Sequence, residues 1–200
     1  MRLISIIKQI KTAISLLVLL TILTGLLYPV IITAIGQLLF PWKANGSMLQ
    51  QNGRTIGSEL IGQSFTAMNY FWGRPSATPS FPYNATSSTG SNLGPSNPAF
   101  FTIVKKRIEI YKQVDLQNTV PIPIDLVTAS GSGLDPEISP AAAFYQIPRI
   151  AKARGLSAES IRHLIKSLLQ RRTFGFLGEP RVNVLELNMA LDRLQNQQTK

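Results

Sequence analysis

The chain has no cysteine and a single histidine, His163, in 200 residues. Without thiols there is no disulfide, no thiol nucleophile and no Cys-ligated zinc or iron–sulfur site, and one imidazole removes most His-based metal centres as well. Charge is scarce too, at 15% of residues, where an average soluble domain carries about 25%. Hydrophobic residues make up 44%, too many for a disordered chain, so part of the sequence is built for a solvent other than water. Acids are the rarer sign: 10 Asp and Glu face 20 Lys and Arg, a net charge of +10, which points to anionic partners or an anionic membrane surface. No G-x-x-x-x-G-K-[ST] phosphate loop occurs, so no energy-coupling engine is visible in the sequence.

What the sequence does have is one long uncharged run, from Thr12 to Trp42. As a helix, the apolar stretch from Ala13 to Phe40 would reach about 42 Å, more than the roughly 30 Å hydrocarbon core, so it spans with tilt or with a bend at Pro29. A cleaved signal peptide would have a shorter apolar region and a small-residue cleavage site, and neither is present; the run is read as a retained anchor. Arg2, Lys8 and Lys11 precede it, and only Lys43 and Arg54 follow closely. The positive-inside rule therefore keeps residues 1–11 in the cytoplasm, spans with 12–42 and exports 43–200. Tyr28 and Pro29 fit a membrane context, and Trp42 is an interfacial anchor. Removing the three leading cations from +10 leaves about +7 on the exported part, which should not concentrate cations.

Residues 43–98 are rich in Asn, Gly, Ser, Thr and Pro, and only Ile56 to Phe65 offers a short strand. Their aromatics (Phe65, Tyr70, Phe71, Trp72, Phe81, Tyr83) make this an ordered loop layer. From Asn97 the texture is helical. Asn97 caps, Pro98 takes the first position, and Phe100, Phe101, Val104, Ile108 and Tyr111 form a stripe. Ile124 to Ala129 reads as a short strand. Ser139 and Pro140 start a helix that Pro148 interrupts and Gly155 ends. Ser157 caps another helix, with Lys166, Arg171 and Arg172 toward its end. A last helix near Val182 to Gln195 packs through Val184, Leu187, Leu191 and Leu194, and the tail beyond frays. The fold class is α+β: one N-terminal transmembrane helix, then one extracytoplasmic domain with a loop-rich, short-strand first half and a helical second half.

Little here spells chemistry. The glycines of Ser130 to Pro136, SGSGLDP, could offer amides to a phosphate. The simpler reading is a tight connection with Gly131 and Gly133 at positive φ and a local Asp135 turn. His163 reads as a surface residue without a triad, and Asp135 and Glu137 are spaced to face apart. No basic run with interleaved aromatics supports nucleic-acid binding. The segment YFWGRPS, Tyr70 to Ser76, combines residue types enriched in interface hot spots with an equal claim to the domain's own core.

Six motifs in register resemble one family, the C subunit of the bacterial potassium-transporting Kdp ATPase: TGLLYP (Thr24 to Pro29), GSELIGQSF (Gly57 to Phe65), YFWGRPSA (Tyr70 to Ala77), GSNLGPSNP (Gly90 to Pro98), VTASGSGLDPEISPAAA (Val127 to Ala143) and FLGEPRVNVLELNMALD (Phe176 to Asp192). Thr89 and Glu137 depart from the pattern. The resemblance implies a non-catalytic accessory subunit in the cell inner membrane, single-pass, with a periplasmic domain. Its partners would be a polytopic potassium-translocating subunit, a P-type ATP-hydrolysing subunit, a small single-span subunit and membrane lipid, with no nucleic acid. No cofactor would be bound stably, since ATP with magnesium and potassium are handled by partner subunits. The subunit would assemble and stabilise the complex and promote ATP binding, and the outward topology read from the flanking charges makes that effect indirect, from the outer face. The resemblance also offers Ser130, Gly131, Ser132, Gly133, Leu134, Asp135 and Pro136 as a nucleotide-associated loop. The candidate partner contacts are Tyr28, Pro29, Tyr70, Trp72 and Arg74. The competing expectations are a membrane-tethered extracytoplasmic hydrolase and a lipid-surface binding module.

Overall fold

The computed structural model describes residues 2–51 and 53–198. It divides into two compact units, 1–48 and 49–200.

The first unit is one nearly continuous helix: α1 (Arg2–Ile22), a π-helical turn (Leu23–Leu27) and α2 (Tyr28–Leu39), closed by the short α3 (Pro41–Ala44). Its stretch Ile6–Leu39, 34 residues, is long and apolar enough to cross a membrane and contains no buried residue. The wide turn has a local cause. Pro29 has no N–H for the carbonyl of Gly25 and its ring would crowd that oxygen. The π turn opens the ladder one residue earlier, with the Tyr28 N–H donating to the Leu23 carbonyl. The expected bend at Pro29 is thus taken up by an extra residue per turn rather than by a break. Asn45 Nδ2 donates to Gln37 Oε1 at 3.0 Å and to the Pro41 carbonyl at 2.7 Å, fastening the turn that ends the helix.

The second unit opens with β1 (Met48–Gln51) and β2 (Arg54–Ser58), a two-stranded sheet. A long irregular strap follows. Then come α4 (Pro98–Val114), α5 (Ile124–Val127), β3 (Glu137–Ile138), α6 (Pro140–Tyr145), α7 (Ile147–Arg154), α8 (Ala158–Ser167), β4 (Val182–Asn183) and α9 (Val184–Gln198). β3 pairs antiparallel with β4, Glu137 opposite Asn183 and Ile138 opposite Val182. The core is built from Leu126, Ile138, Ile150, Ile161, Ile165, Leu187 and Leu191 together with Phe71 from the strap.

The caps fall where the side chains require them. Asn97, Ser139 and Ser157 each accept a backbone N–H at their helix start, Pro98 and Pro140 occupy the first turn, and Gly155 ends α7 in the left-handed conformation at φ 66°. Pro148 divides the α6–α7 segment, and the chain resets at Gln146.

Other expectations are corrected. Ile124 to Ala129 is not a strand: Ile124–Val127 forms one helical turn, held by Thr128 Oγ1 donating to the Ile124 carbonyl, while Asp125 accepts from the N–H and hydroxyl of Ser139. The strand expected over Ile56 to Phe65 is shifted to Arg54–Ser58, because β1 supplies its partner from the preceding residues. Arg171 and Arg172 lie beyond α8, which stops at Ser167. Phe101 faces outward on α4 rather than joining the stripe. Val182 and Asn183 are strand, and Asn183 Oδ1 accepts the Glu186 N–H, so α9 starts later and runs on to Gln198 instead of fraying after Leu194. Thr199 and Lys200 lie outside the described residues. Gly133 has the expected positive φ, 69°, but Gly131 does not.

Candidate functional site: an aromatic strap clamped by side chains, and the glycine–serine loop

The strap from Phe65 to Tyr83 has no sheet partner, yet its main chain is hydrogen-bonded almost as a strand would be. Asn188 of α9 takes the Phe71 N–H on Oδ1 at 2.8 Å and returns Nδ2 to the Phe71 carbonyl at 3.0 Å. Gln146, between α6 and α7, does the same for Trp72, accepting its N–H at 2.8 Å and donating to its carbonyl at 3.1 Å. A primary amide carries a donor and an acceptor side by side, as a peptide group does, so each substitutes for one rung of a ladder. Buried main-chain groups must be paired, and here helices pair them with side chains.

Two arginines of α7 complete the clamp. Arg149 donates to the carbonyls of Met68 and Tyr70 and to Gln146 Oε1, with its guanidinium 4.4 Å from the Trp72 ring centroid. Burial lowers its pKa to about 10, with Tyr111 and Asp115 pulling the other way. Arg154 donates to the Asn69 carbonyl at 2.6 Å, to Gln195 at 2.6 Å and to Asp192 at 2.7 Å, and lies over the Tyr70 ring. The Tyr70 hydroxyl donates to the other Asp192 oxygen at 3.1 Å. Tyr70 and Trp72, two of the expected partner contacts, are therefore half-buried parts of the domain's own scaffold.

Further along, Tyr83 folds back over two glycines. A Cβ at Gly62 would stand 2.3 Å from its ring, and one at Gly73 would stand 2.6 Å from its hydroxyl. That hydroxyl donates to the Arg74 carbonyl at 2.5 Å. Burial raises the Tyr83 pKa to about 12; the Asp135 carboxylate adds to the rise and Arg74 opposes it. Trp72, Arg74, Tyr83, Arg107, Tyr111 and Leu126 line a cleft of about 540 Å³ between the strap and α4. Burial lowers the Arg107 pKa, and its Nη1 donates to the Val127 carbonyl at 3.1 Å.

The glycine–serine loop is sewn to the strap. Arg74 Nη1 meets Asp135 Oδ2 at 3.1 Å, and Ser76 Oγ donates to the Gly133 carbonyl at 2.7 Å. The loop also spends amides on itself. Ser130 Oγ accepts the Gly133 N–H at 2.9 Å, Ser132 Oγ the Leu134 N–H at 3.1 Å and Asp135 Oδ1 the Glu137 N–H at 3.0 Å. The carbonyls of Ser132 and Leu134 take the N–H groups of Thr89 and Gly62. Pro136 presents its carbonyl to Val184, joining the loop to α9. Three amides of the candidate loop, those of Ser130, Gly133 and Leu134, are thus committed to the chain itself, with Gly131 and Ser132 left on the surface.

The remaining candidates stand apart. Asp135 and Glu137 point to different arginines, Glu137 to Arg181 at 2.8 Å. His163 is 72% exposed on α8 with Glu159 at 3.2 Å, a surface pair one helical turn apart. No group of three or more His, Asp or Glu that could hold a metal ion occurs among the described residues. Tyr28 and Pro29 belong to the first unit, where the Tyr28 side chain is exposed beside the π turn. The clamp residues Gln146, Arg149, Arg154 and Asn188 were not foreseen. Their signal is a polar side chain on an apolar stripe: Asn188 shares its face with Val184 and Leu191, and Gln146 with Ala142 and Ile150.

Residues 10–193 match the family model described as KdpC, K+-transporting ATPase, c chain. The chain is 55% identical over 189 residues to the potassium-transporting ATPase KdpC subunit of Methylococcus capsulatus, covering 94% of this chain and 100% of that one. It is 58% identical to the KdpC subunit of Paraburkholderia phytofirmans, covering 88% and 92%. It is 53% identical to that of Herpetosiphon aurantiacus, covering 93% and 96%. The match takes in the apolar helix, the strap, the glycine–serine loop and most of α9 alike, and the chain belongs to the KdpC family, the c chains of potassium-transporting ATPase complexes.

Proposed function

We propose that this chain is a non-catalytic subunit that is held in the inner membrane by its single N-terminal helix and works on the complex from the outer face. Its partners are a polytopic potassium-translocating subunit, a P-type ATP-hydrolysing subunit and a small single-span subunit. It stabilises their assembly and raises the ATP affinity of the hydrolysing subunit without holding the nucleotide. The observation that carries this reading is the inward commitment of the Ser130 to Pro136 amides. A loop whose Ser130, Gly133 and Leu134 N–H groups already have acceptors within the chain is a poor phosphate cradle. An effect on ATP then follows from differential binding to the partners' conformations, a coupling that needs no shared ligand.

The unbalanced charge supports the same division of labour. A positive exterior domain repels cations, so potassium selection falls to a partner. ATP and potassium are ligands of the partner subunits, and this chain binds no cofactor stably. The test is steady-state ATP hydrolysis by the complex purified with and without this chain, beside ATP titration of the purified chain alone. The expected result is a raised KM for ATP when the chain is missing and no ATP binding by the chain itself. Saturable ATP binding to the isolated chain, lost in Gly133→Ala, would overturn the indirect route.

A further inference from the structure

The cleft between the strap and α4 holds more donors than the chain satisfies. Arg74 and Arg107 both line it, and no Asp or Glu does among the described residues. Arg74 is neutralised by Asp135 at 3.1 Å. Arg107, half-buried on α4, has no ion pair among the described residues and commits only Nη1, to the Val127 carbonyl at 3.1 Å. The rest of its guanidinium fork is without an acceptor. A cation drawn out of water without a counter-charge is costly.

Tyr111 brings a second unmet donor to the same place, since residues four apart share a helix face. It lines the cleft, only 6% of it is exposed, and its hydroxyl makes no hydrogen bond among the described residues. Buried hydroxyls are normally paired. The ring is held in position by Trp72 at 5.4 Å and Tyr145 at 6.0 Å between centroids. Neighbouring polar groups are already engaged within the chain: the Tyr83 hydroxyl with the Arg74 carbonyl, Trp72 Nε1 with the Ala67 carbonyl and Ser76 Oγ with the Gly133 carbonyl. Phe65, Ile110 and Leu126 make the wall apolar. A cleft of about 540 Å³ with apolar walls and a few converging donors has the make-up of a small-molecule site.

We infer that this cleft binds a small monocarboxylate with an apolar body, its carboxylate held by the Arg107 guanidinium and the Tyr111 hydroxyl and its body against Phe65, Ile110 and Leu126. One negative charge matches the one unpaired cation, and a carboxylate fits the guanidinium fork. A neutral ligand would leave Arg107 without its counter-charge, and a polyanion would carry more charge than the cleft can balance. The inference goes beyond the accessory role and does not depend on it.

The test uses the full chain in micelles with Trp42→Phe, which leaves Trp72 in the cleft wall as the only tryptophan. The probe is phenylbutyrate, titrated beside phenylbutanol, its uncharged counterpart, and phenyl phosphate, with free concentrations fixed by equilibrium dialysis. The expected result is a saturable change in Trp72 emission with the carboxylate and an affinity about 30-fold weaker for the alcohol. Arg107→Gln should weaken carboxylate binding about 30-fold, and Tyr111→Phe, which keeps the ring, about 5-fold. Near-ultraviolet circular dichroism checks that each variant is folded. If Arg107→Gln fails to fold, the comparison of carboxylate with alcohol on the parent chain and the Tyr111→Phe result still decide. No saturable response, equal affinity for carboxylate and alcohol, or tighter binding of phenyl phosphate would overturn the proposal. So would unchanged affinity in folded Arg107→Gln or in Tyr111→Phe.

Discussion

The side-chain amide of Asn188 closes on both main-chain groups of Phe71, accepting from its N–H at 2.8 Å and donating to its carbonyl at 3.0 Å. Phe71 is fully buried and Asn188 nearly so, so no water can stand in for either bond. Asn188→Ala should lower the stability of the second unit by about 2–4 kcal/mol, because it leaves two buried backbone groups unpaired. Urea unfolding of the full chain in micelles measures this, and a loss below about 0.5 kcal/mol would mean the clamp is dispensable.

The glycine–serine loop makes a sharper contrast between neighbours. A Cβ at Gly133 would stand 2.6 Å from the Thr89 carbonyl oxygen, and its φ is 69°; at Gly131 nothing lies within 4 Å. Gly133→Ala should therefore cost about 1–3 kcal/mol, from strain at positive φ and the main-chain clash. Gly131→Ala should be near neutral. Thermal unfolding of the two variants side by side checks the order, and equal effects would contradict the structural role assigned to Gly133.

How much of this was legible beforehand varied with the range of the interaction. The long apolar helix, the caps at Asn97, Ser139 and Ser157 and the stop at Gly155 depend on nearby residues, and the sequence pattern alone locates them. Ile124–Val127 failed as a strand because Asp125 is engaged by Ser139, a contact that no local pattern announces. The sequence pattern puts Arg171 and Arg172 at a helix end because no residue before Gly175 marks the stop of α8 at Ser167. The strap was recognised as ordered from its aromatics. What orders it, two amides and two arginines on distant helices, is fixed only by tertiary placement. Of the expected contacts, Tyr70 and Trp72 are engaged within the domain, while Phe174 and Phe176 are exposed at a turn of which only Phe176 belongs to a family motif.

Tyr83 gives the fold a dependence on alkaline pH. Its phenol has an ordinary pKa of 10.0, raised on folding to about 12 chiefly by burial. The folded state therefore binds the proton more tightly. The stability this contributes is complete below pH 10 and is lost as pH rises toward 12. Tyr83→Phe removes the contribution together with the hydrogen bond to the Arg74 carbonyl. The stability gap between parent and variant should be about 1 kcal/mol near neutrality and should shrink between pH 10 and 12. A gap that stays constant over that window, in unfolding midpoints taken at half-unit steps, would contradict the assignment.

Asp192 links two elements of the clamp, accepting from Arg154 and from the Tyr70 hydroxyl. Asp192→Asn weakens the ion pair to a guanidinium whose side chain is only 3% exposed, so it should cost about 1–3 kcal/mol. Tyr70→Phe should cost less, and the two together less than their sum, since both act on one network. A double-mutant cycle in urea measures the coupling, and strict additivity would show that the Tyr70 hydroxyl does no structural service there.

The central claim is that the second unit acts from outside the cell membrane, where it cannot meet ATP. The absence of native cysteine makes a single introduced thiol unambiguous, and Ser132 is exposed on the loop in question. The direct measurement is labelling of Ser132→Cys on intact cells, outer membrane permeabilised, with a membrane-impermeant thiol reagent, beside Lys8→Cys as the cytoplasmic reference. The account predicts that Ser132→Cys reacts before lysis and Lys8→Cys only after it. Protection of Ser132→Cys until lysis would place the loop in the cytoplasm and contradict the account.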